Sequence, residues 1–322
     1  MAVHGLVTGV HTVEIVYTDE GDAVGALLSH PGNRRQGLRA LLDATDRTGP
    51  VLAPGAYDAL SARLVEQAGF DVAYMTGFGT TASLLGRPDV GLLGQGEMVD
   101  NARRMVAAVD VPVIADADTG YGNPINVVRT VREYEQAGVA GLHLEDQVMP
   151  KRCGHMAGKA VVPCDEMLAK VRAAVEARND PDLVLIARTD VAAVEGVDAA
   201  VDRARRFADA GADVLFVEAP SSEADIEKVA TALAGHKLVF NWAEGGRTPP
   251  LPLARLTELG FALVIFPVAT LLAADVAIRG MLTRLRTEGT PAEFVDELGG
   301  LDAFADRVGL GEVRELEERY RS

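Results

Sequence analysis

Residues 111–147 read VPVIADADTGYGNPINVVRTVREYEQAGVAGLHLEDQ. The stretch holds a short apolar run, an amphipathic helical segment closing on Ala137-Gly138, and a second short apolar run. This is the rhythm of one parallel β/α unit. Glycine directly after the last periodic residue is the usual stop signal of a helix. Each apolar run ends in acid: Asp116 and Asp118 after the first, Glu145 and Asp146 after the second.

Outward from this unit the same beat recurs. The apolar runs are VLA (51–53), VAYM (72–75), VPVIA (111–115), AGLHL (140–144), LVLIA (183–187), VLFV (214–217), LVF (238–240) and LVIF (263–266). The pairs Ala68-Gly69, Ala210-Gly211 and Leu259-Gly260 repeat the helix-ending signal. Eight such units without an intervening linker predict an α/β fold, a single (β/α)8 TIM barrel with further C-terminal helices, over residues 36–322. Residues 1–35 read as an N-terminal extension in which 12–17 (TVEIVY) suits a strand; a helix is expected from near Gln36, with Leu38, Leu41 and Leu42 on one face. Beyond about residue 290 helices continue, ending in an acidic one over 312–321.

Composition narrows the partners. Of the 322 residues 47 are acidic and 31 basic, a formal charge of −16. Nucleic acid and anionic membrane surfaces need a basic face, so neither is an expected partner. No apolar run reaches membrane-spanning length, and the N-terminus lacks the basic-then-apolar pattern of a secretory signal. Two cysteines close in sequence, Cys153 and Cys164, suit a reduced, cytoplasmic setting better than a disulfide framework.

In a parallel barrel, chemistry sits at the C-terminal ends of the strands. Here those ends carry Tyr57 and Asp58, then Thr76-Gly77-Phe78-Gly79, Asp116 and Asp118, Glu145, Arg188 and Asp190, Glu218, and Asn241. Capping of exposed strand edges explains one or two such residues, but not a carboxylate at each of strands three, four and six. Asp116 and Asp118, two apart, share a face if both lie on a strand, and like charges that close require a cation or a shared proton. A set of carboxylates and water suits a hard cation, Mg2+ with Mn2+ as substitute. His143 shares the face of Glu145 and reads as a satisfied core histidine. The segment Lys151-Arg152-Cys153-Gly154-His155 surrounds a thiol with cations, which favours the thiolate and suits a proton donor. Gly154 and Gly158 would let the loop over 147–162 open and close. Cys164 stands where a helix N-cap serine or threonine is expected, and no chemistry is assigned to it. Paired zinc-type spacings, a nucleotide-binding glycine fingerprint and a Gly-x-Ser-x-Gly elbow are all missing.

Through DADTGYG (116–122), HLEDQ (143–147) and KRCGH (151–155) the chain resembles the isocitrate lyase / phosphoenolpyruvate mutase superfamily, over about residues 54–288. It looks most like the branch of 2,3-dimethylmalate lyase, methylisocitrate lyase and carboxyvinyl-carboxyphosphonate phosphorylmutase. The resemblance implies a barrel whose eighth helix is swapped between subunits, in a homotetramer, with Mg2+ in each site. It implies that Asp116 touches the metal, while Asp89, Asp118 and Glu145 hold its waters. Substrate contacts would come from Thr76, Gly77, Phe78, Gly154, Arg188, Glu218, Asn241 and Pro267. Cys153 would protonate the product enolate with Lys151, Arg152 and His155 around it, and Tyr57 or Glu145 would serve as base. The implied reaction is cleavage of a small 2-hydroxy di- or tricarboxylate to a 2-oxo acid and a carboxylate. Met156-Ala157-Gly158-Lys159, in place of Arg-Pro-Asn-Lys, weakens the tricarboxylate reading, and Pro267 goes with the lyases rather than with oxaloacetate decarboxylase. Phosphorylmutase chemistry, oxaloacetate decarboxylation and a non-catalytic metabolite-binding barrel are the alternatives.

Overall fold

Eight strands close into one parallel barrel in sequence order: β1 (Val51–Ala56), β2 (Ala73–Met75), β3 (Val113–Asp116), β4 (Gly141–Glu145), β5 (Val184–Thr189), β6 (Val214–Val217), β7 (Lys237–Asn241) and β8 (Leu263–Phe266). The computed structural model describes residues 32–154 and 158–321. The ring closes through β1 and β8, with Val51 opposite Leu263 and Pro54 opposite Phe266. The eight predicted runs are the eight strands, shifted at their edges by up to three residues. Pro112 precedes β3 rather than entering it, and its carbonyl accepts from the Ala73 amide; proline lacks the N–H that a central strand must donate.

Side chains alternate across the barrel wall, and two apolar clusters result. Tyr74, Ile114, Val184, Ile186, Val214, Phe216, Val239, Leu263 and Ile265 fill the interior. Their strand neighbours Met75, Ala115, Leu185, Leu215, Phe240 and Val264 face outward into the layer beneath the helices. The period of two in each strand thus separates barrel filling from helix packing.

Helix Arg34–Thr48 closes the N-terminal end. It begins two residues before the sequence suggested, because the Asn33 side chain accepts from the amides of Arg35 and Gln36 and fixes the start there. Leu38 and Leu42 are buried in the interior cluster. Arg35 pairs with Asp180 and Arg39 with Asp213, so the plug is tied to the loops beneath the sheet. The predicted strand at 12–17 and His155 lie outside the described residues.

All four helix-ending glycines read from the sequence adopt positive φ: Gly69 82°, Gly138 91°, Gly211 103° and Gly260 78°. The C-terminal part comprises helix Ala269–Glu288, a 3-10 turn at Val295–Leu298, and helices Leu301–Arg307 and Leu310–Arg319. None of these four elements buries a residue. Among the described residues no helix is long and apolar enough to cross a membrane.

Candidate active site

Continuing the inward series of each strand by one more step reaches the polar residues. Ile114 is followed two on by Asp116, Gly141 by His143 and Glu145, Ile186 by Arg188, Phe216 by Glu218, Val239 by Asn241, and Ile265 by Pro267. All of them but His143 line a cavity of about 270 Å3 at the C-terminal mouth. Of the residues singled out in the sequence, Thr76, Phe78, Asp89, Asp116, Glu145, Lys151, Arg152, Cys153, Gly154, Arg188, Glu218, Asn241 and Pro267 line it. Tyr57, Gly77 and Asp118 do not.

Asp116 is the best-supported carboxylate. Its Oδ1 accepts from His143 Nε2 at 2.8 Å and from the Asp118 amide at 2.9 Å, and its Oδ2 accepts from the Gly77 amide at 3.2 Å. Burial alone would raise its pKa, but the His143 imidazole, Lys151 and Arg188 hold it well below the carboxylate range. Residue 77 must be glycine for this approach, since a Cβ there would strike Asp116 Oδ2.

Asp118 reaches the same cluster by a different route from the one expected. β3 ends at Asp116, and Asp118 lies beyond it at φ 47°, so the two aspartates do not share a strand face. A turn through Asp118, Gly120 and Tyr121, all at positive φ, brings the carboxylate round instead. Burial, together with Asp116 and Asp89, pushes the Asp118 pKa up to about 6 against the pull of Lys151.

Lys151 also sits differently. The sequence grouped it with the cations around Cys153, but its ammonium lies 2.6 Å from Asp89 Oδ2 and 2.7 Å from Asp118 Oδ1. Burial would lower its pKa, yet Asp118, Asp116, Asp89 and Glu145 together drive it well above the usual lysine value. It is a resident cation of the carboxylate cluster. Its backbone then leads straight to the thiol.

Arg188 occupies the opposite wall. Asp190 takes its Nε at 2.9 Å and its Nη2 at 3.1 Å, Glu145 lies 3.3 Å from Nε, and the guanidinium stacks 5.1 Å from the Phe216 ring centre. Asn241 donates to both oxygens of Glu218 at 3.2 and 3.1 Å, orienting that carboxylate. Burial raises the Glu145 pKa well above normal; Arg188 opposes this and Asp190 reinforces it. That suits a group able to hold a proton.

The cysteine segment is anchored at its base. Gln147 bridges Val161, the Val148 amide donates to Ala160, and the Gln147 side chain bonds both the amide and the carbonyl of Arg152. The Cys153 amide donates to the Asp89 carbonyl at 3.3 Å, so half-buried Cys153 is hung beside the carboxylate cluster. Cys164 is the first residue of helix Cys164–Ala177, with Pro163 in the cap position, so the expected N-cap role is not its own.

The family model for phosphoenolpyruvate phosphomutase matches residues 38–286. The chain belongs to this family. It is 47% identical over 270 residues to 2,3-dimethylmalate lyase of Eubacterium barkeri, covering 84% of this chain and 93% of that one. It is 45% identical over 289 residues to probable 2-methylisocitrate lyase 1 of Corynebacterium glutamicum, covering 89% and 91%. A crystal structure of 2,3-dimethylmalate lyase superposes with a TM-score of 0.85 at 41% identity, over 90% of this chain and 96% of that one. One of phosphonopyruvate hydrolase with oxalate and Mg2+ gives 0.82 at 31%, over 90% and 100%.

Several cavity residues of this family member went unnoticed in the sequence. Tyr74 lines the cavity, 3% exposed, although the sequence counted it as one apolar residue of a strand. Its hydroxyl lies 3.4 Å from His143 Nδ1. Inward parity with Thr76, two residues on, was the available signal. Glu244, Gly245 and Gly246 come from an irregular segment after β7, and Val268 and Leu272 from the start of helix Ala269–Glu288, where no periodicity points at a site. The buried side chains of Lys159 and Asp190 form a pair at 2.8 Å that spacing alone could not foretell.

A divalent cation fits the site in one way only. Among the described residues, no three carboxylate, imidazole or thiol groups converge as direct ligands. Five carboxylates nevertheless line the cavity against three cations, and buried Glu145 Oε1 has no hydrogen-bond partner. Such a donor set suits a cation bound through one carboxylate and a shell of water, as Mg2+ commonly is.

Proposed function

We propose that this chain is a carbon–carbon lyase that cleaves a small 2-hydroxy dicarboxylate into a 2-oxo acid and a carboxylate. The observation carrying the reading is one small cavity that joins a buried guanidinium, a carboxylate cluster and a thiol-bearing segment. The relationship to lyases of such substrates supports it.

Arg188 would pair with a substrate carboxylate, its charge fixed by Asp190 and Glu218. The Thr76 hydroxyl and the first-turn amide of Phe78 would meet the oxygens of the 2-oxo acid at a helix N-terminus. Asp116 would hold a divalent cation, Mg2+ or Mn2+, with Asp89, Asp118 and Glu145 acting through water; when bound it would supply positive charge for the oxygens of the cleaving bond.

For the base we assign Tyr74 rather than Tyr57, because Tyr74 is the tyrosine that faces the cavity. A carboxylate oxygen can only accept, so the hydrogen of the Asp116 contact sits on His143 Nε2, and an unprotonated Nδ1 would be left to accept from Tyr74. Tyr74 would take the substrate hydroxyl proton while passing its own to His143. The C2–C3 bond then breaks, its electron pair forms the enolate of the departing carboxylate, and the Cys153 thiol protonates that carbon.

Subunit exchange of helix Ala269–Glu288 within a tetramer is part of the proposal. Leu272, Val276, Ile278 and Leu282 of this helix are all exposed, Val276 by 64%. Sedimentation should return an assembly larger than one chain.

Incubation with 2,3-dimethylmalate, methylisocitrate and isocitrate, with and without Mg2+, tests the reaction through release of 2-oxo acid. Cys153→Ser should cut turnover by about 100-fold or more. Intact cleavage by that variant, or no 2-oxo acid from any of these acids, overturns the mechanism.

A further inference from the structure

We propose that Lys159 is a positioning residue for the Cys153 thiol, acting through the Gly154 carbonyl and Asp190. The inference rests on the reading of Cys153 as proton donor.

The Lys159 side chain is 2% exposed and that of Asp190 fully buried, with Nζ 2.8 Å from Oδ1. The same ammonium donates to the carbonyl of Gly154, the residue next to the thiol. Asp190 is itself anchored: it accepts from two N–H groups of Arg188, and its amide donates to Asp146 Oδ1 at 2.9 Å. Asp146 is held in turn by the Thr189 hydroxyl and by Arg203.

From the other side Gly154 is pressed onto the cavity wall. A Cβ at this position would overlap Glu218 Oε1 and Arg188 Nη2. The backbone beside Cys153 is therefore gripped between the Arg188–Glu218 pair and the Lys159 ammonium. One carboxylate, Asp190, sets the position of both cations that meet it, the substrate-facing Arg188 and the thiol-positioning Lys159.

A buried ion pair is a poor source of net stability, because desolvation of the two charges offsets their attraction. An apolar side chain of similar length would fill the space as well. What it would lack is the directed bond to the Gly154 carbonyl. A displacement of about 1 Å at a reacting group is enough to lower turnover by about 100-fold.

The test uses the metal-loaded enzyme in a Cys164→Ser background, so that of the two cysteines only Cys153 reports. Lys159→Met should lower kcat by about 100-fold while KM stays within a few-fold. It should also raise the rate of Cys153 alkylation by iodoacetamide several-fold, and oxalate, which should slow alkylation in the parent, should not slow it in this variant. Lys159→Arg should restore part of both effects. A purely structural ion pair would shift Tm and leave the alkylation pattern alone. Parental alkylation rates in Lys159→Met, with and without oxalate, overturn the proposal, as does an unchanged kcat. If that variant does not fold, Lys159→Gln carries the same two readouts. Should Cys153→Ser keep its turnover, the proton-donor reading fails, and the alkylation rates alone decide whether Lys159 positions residue 153.

Discussion

The two ends of this barrel are built from the same inward-facing strand positions and filled with opposite chemistry. At the N-terminal end the series holds Val51, Val184, Val214 and Leu263, closed over by Leu38 and Leu42. At the C-terminal end it holds Asp116, His143, Glu145, Arg188, Glu218 and Asn241, all buried or nearly so. The first end gains free energy by removing apolar surface from water, about 1.5–3 kcal/mol for each fully buried leucine. The second spends free energy on desolvated charge, as the raised pKa values of Asp118 and Glu145 record. The fold is stabilised at one end so that the other can hold a strained set of charges.

Substitutions at the two ends should therefore separate activity from stability. The largest effect expected is for Asp116→Asn, which removes the charge that orients His143 and would hold the cation. Turnover should fall by about 1000-fold in steady-state kinetics, and because the fold favours the charged form of Asp116 some stability should be lost with it. Next comes Leu38→Ala, which leaves a cavity under the barrel floor. It should cost about 2–5 kcal/mol in urea unfolding and leave kcat unchanged where the protein is folded. If Leu38→Ala lowers the kcat of folded protein as Asp116→Asn does, the division between the ends is wrong.

The same contrast explains what could be read in advance. The eight apolar runs and the glycines at positions 69, 138, 211 and 260 made the barrel legible, because strand burial and helix termination leave local marks. Asp116, Glu145, Arg188, Glu218 and Asn241 were legible too, since each ends such a run and keeps its parity. Asp118 was found for the wrong reason: its carboxylate arrives through a left-handed turn, and dipeptide spacing does not encode a turn's direction. Lys151 was misplaced because neighbours in sequence share a segment but not a side-chain direction. Tyr74 was hidden inside an apolar run, and the Lys159–Asp190 pair depends on a contact across 31 residues. Parity along a strand carries a residue to the cavity. Pairings between loops do not follow from any period.

Asp118 offers a smaller test of the charged end, in metal-free protein. Its pKa in the folded chain is about 6, above the usual 3.8. The folded state thus binds this proton more tightly than the unfolded chain does. The contribution to stability is full below the unfolded value and is lost as pH climbs through about 6. Asp118→Asn imitates the protonated form at every pH. The gain in Tm of this variant over the parent should be larger at about pH 7.5 than at about pH 5. Added Mg2+ should narrow that gap by stabilising the parent. A gap that does not change with pH would mean that the carboxylate is not held against its own ionisation.

The smallest effects come from matched helix caps, one at each end. Asn33 caps helix Arg34–Thr48 by accepting from Arg35 and Gln36, both at 3.2 Å. Thr76 caps helix Gly77–Leu85 by accepting from Gly79, also at 3.2 Å, and lines the cavity as well. Substitution of either by alanine removes a cap worth about 1 kcal/mol, so the two variants should lose similar stability. Only Thr76→Ala also removes a hydroxyl from the substrate's surroundings, and a contact of about 1.4 kcal/mol corresponds to a tenfold change in kcat/KM. Denaturant midpoints and steady-state kinetics on the pair would show whether the ends differ in function at equal structural cost. Equal losses of kcat/KM in both would mean that a cap at the floor acts on the chemistry as strongly as one at the mouth, and the separation of the two ends would fail.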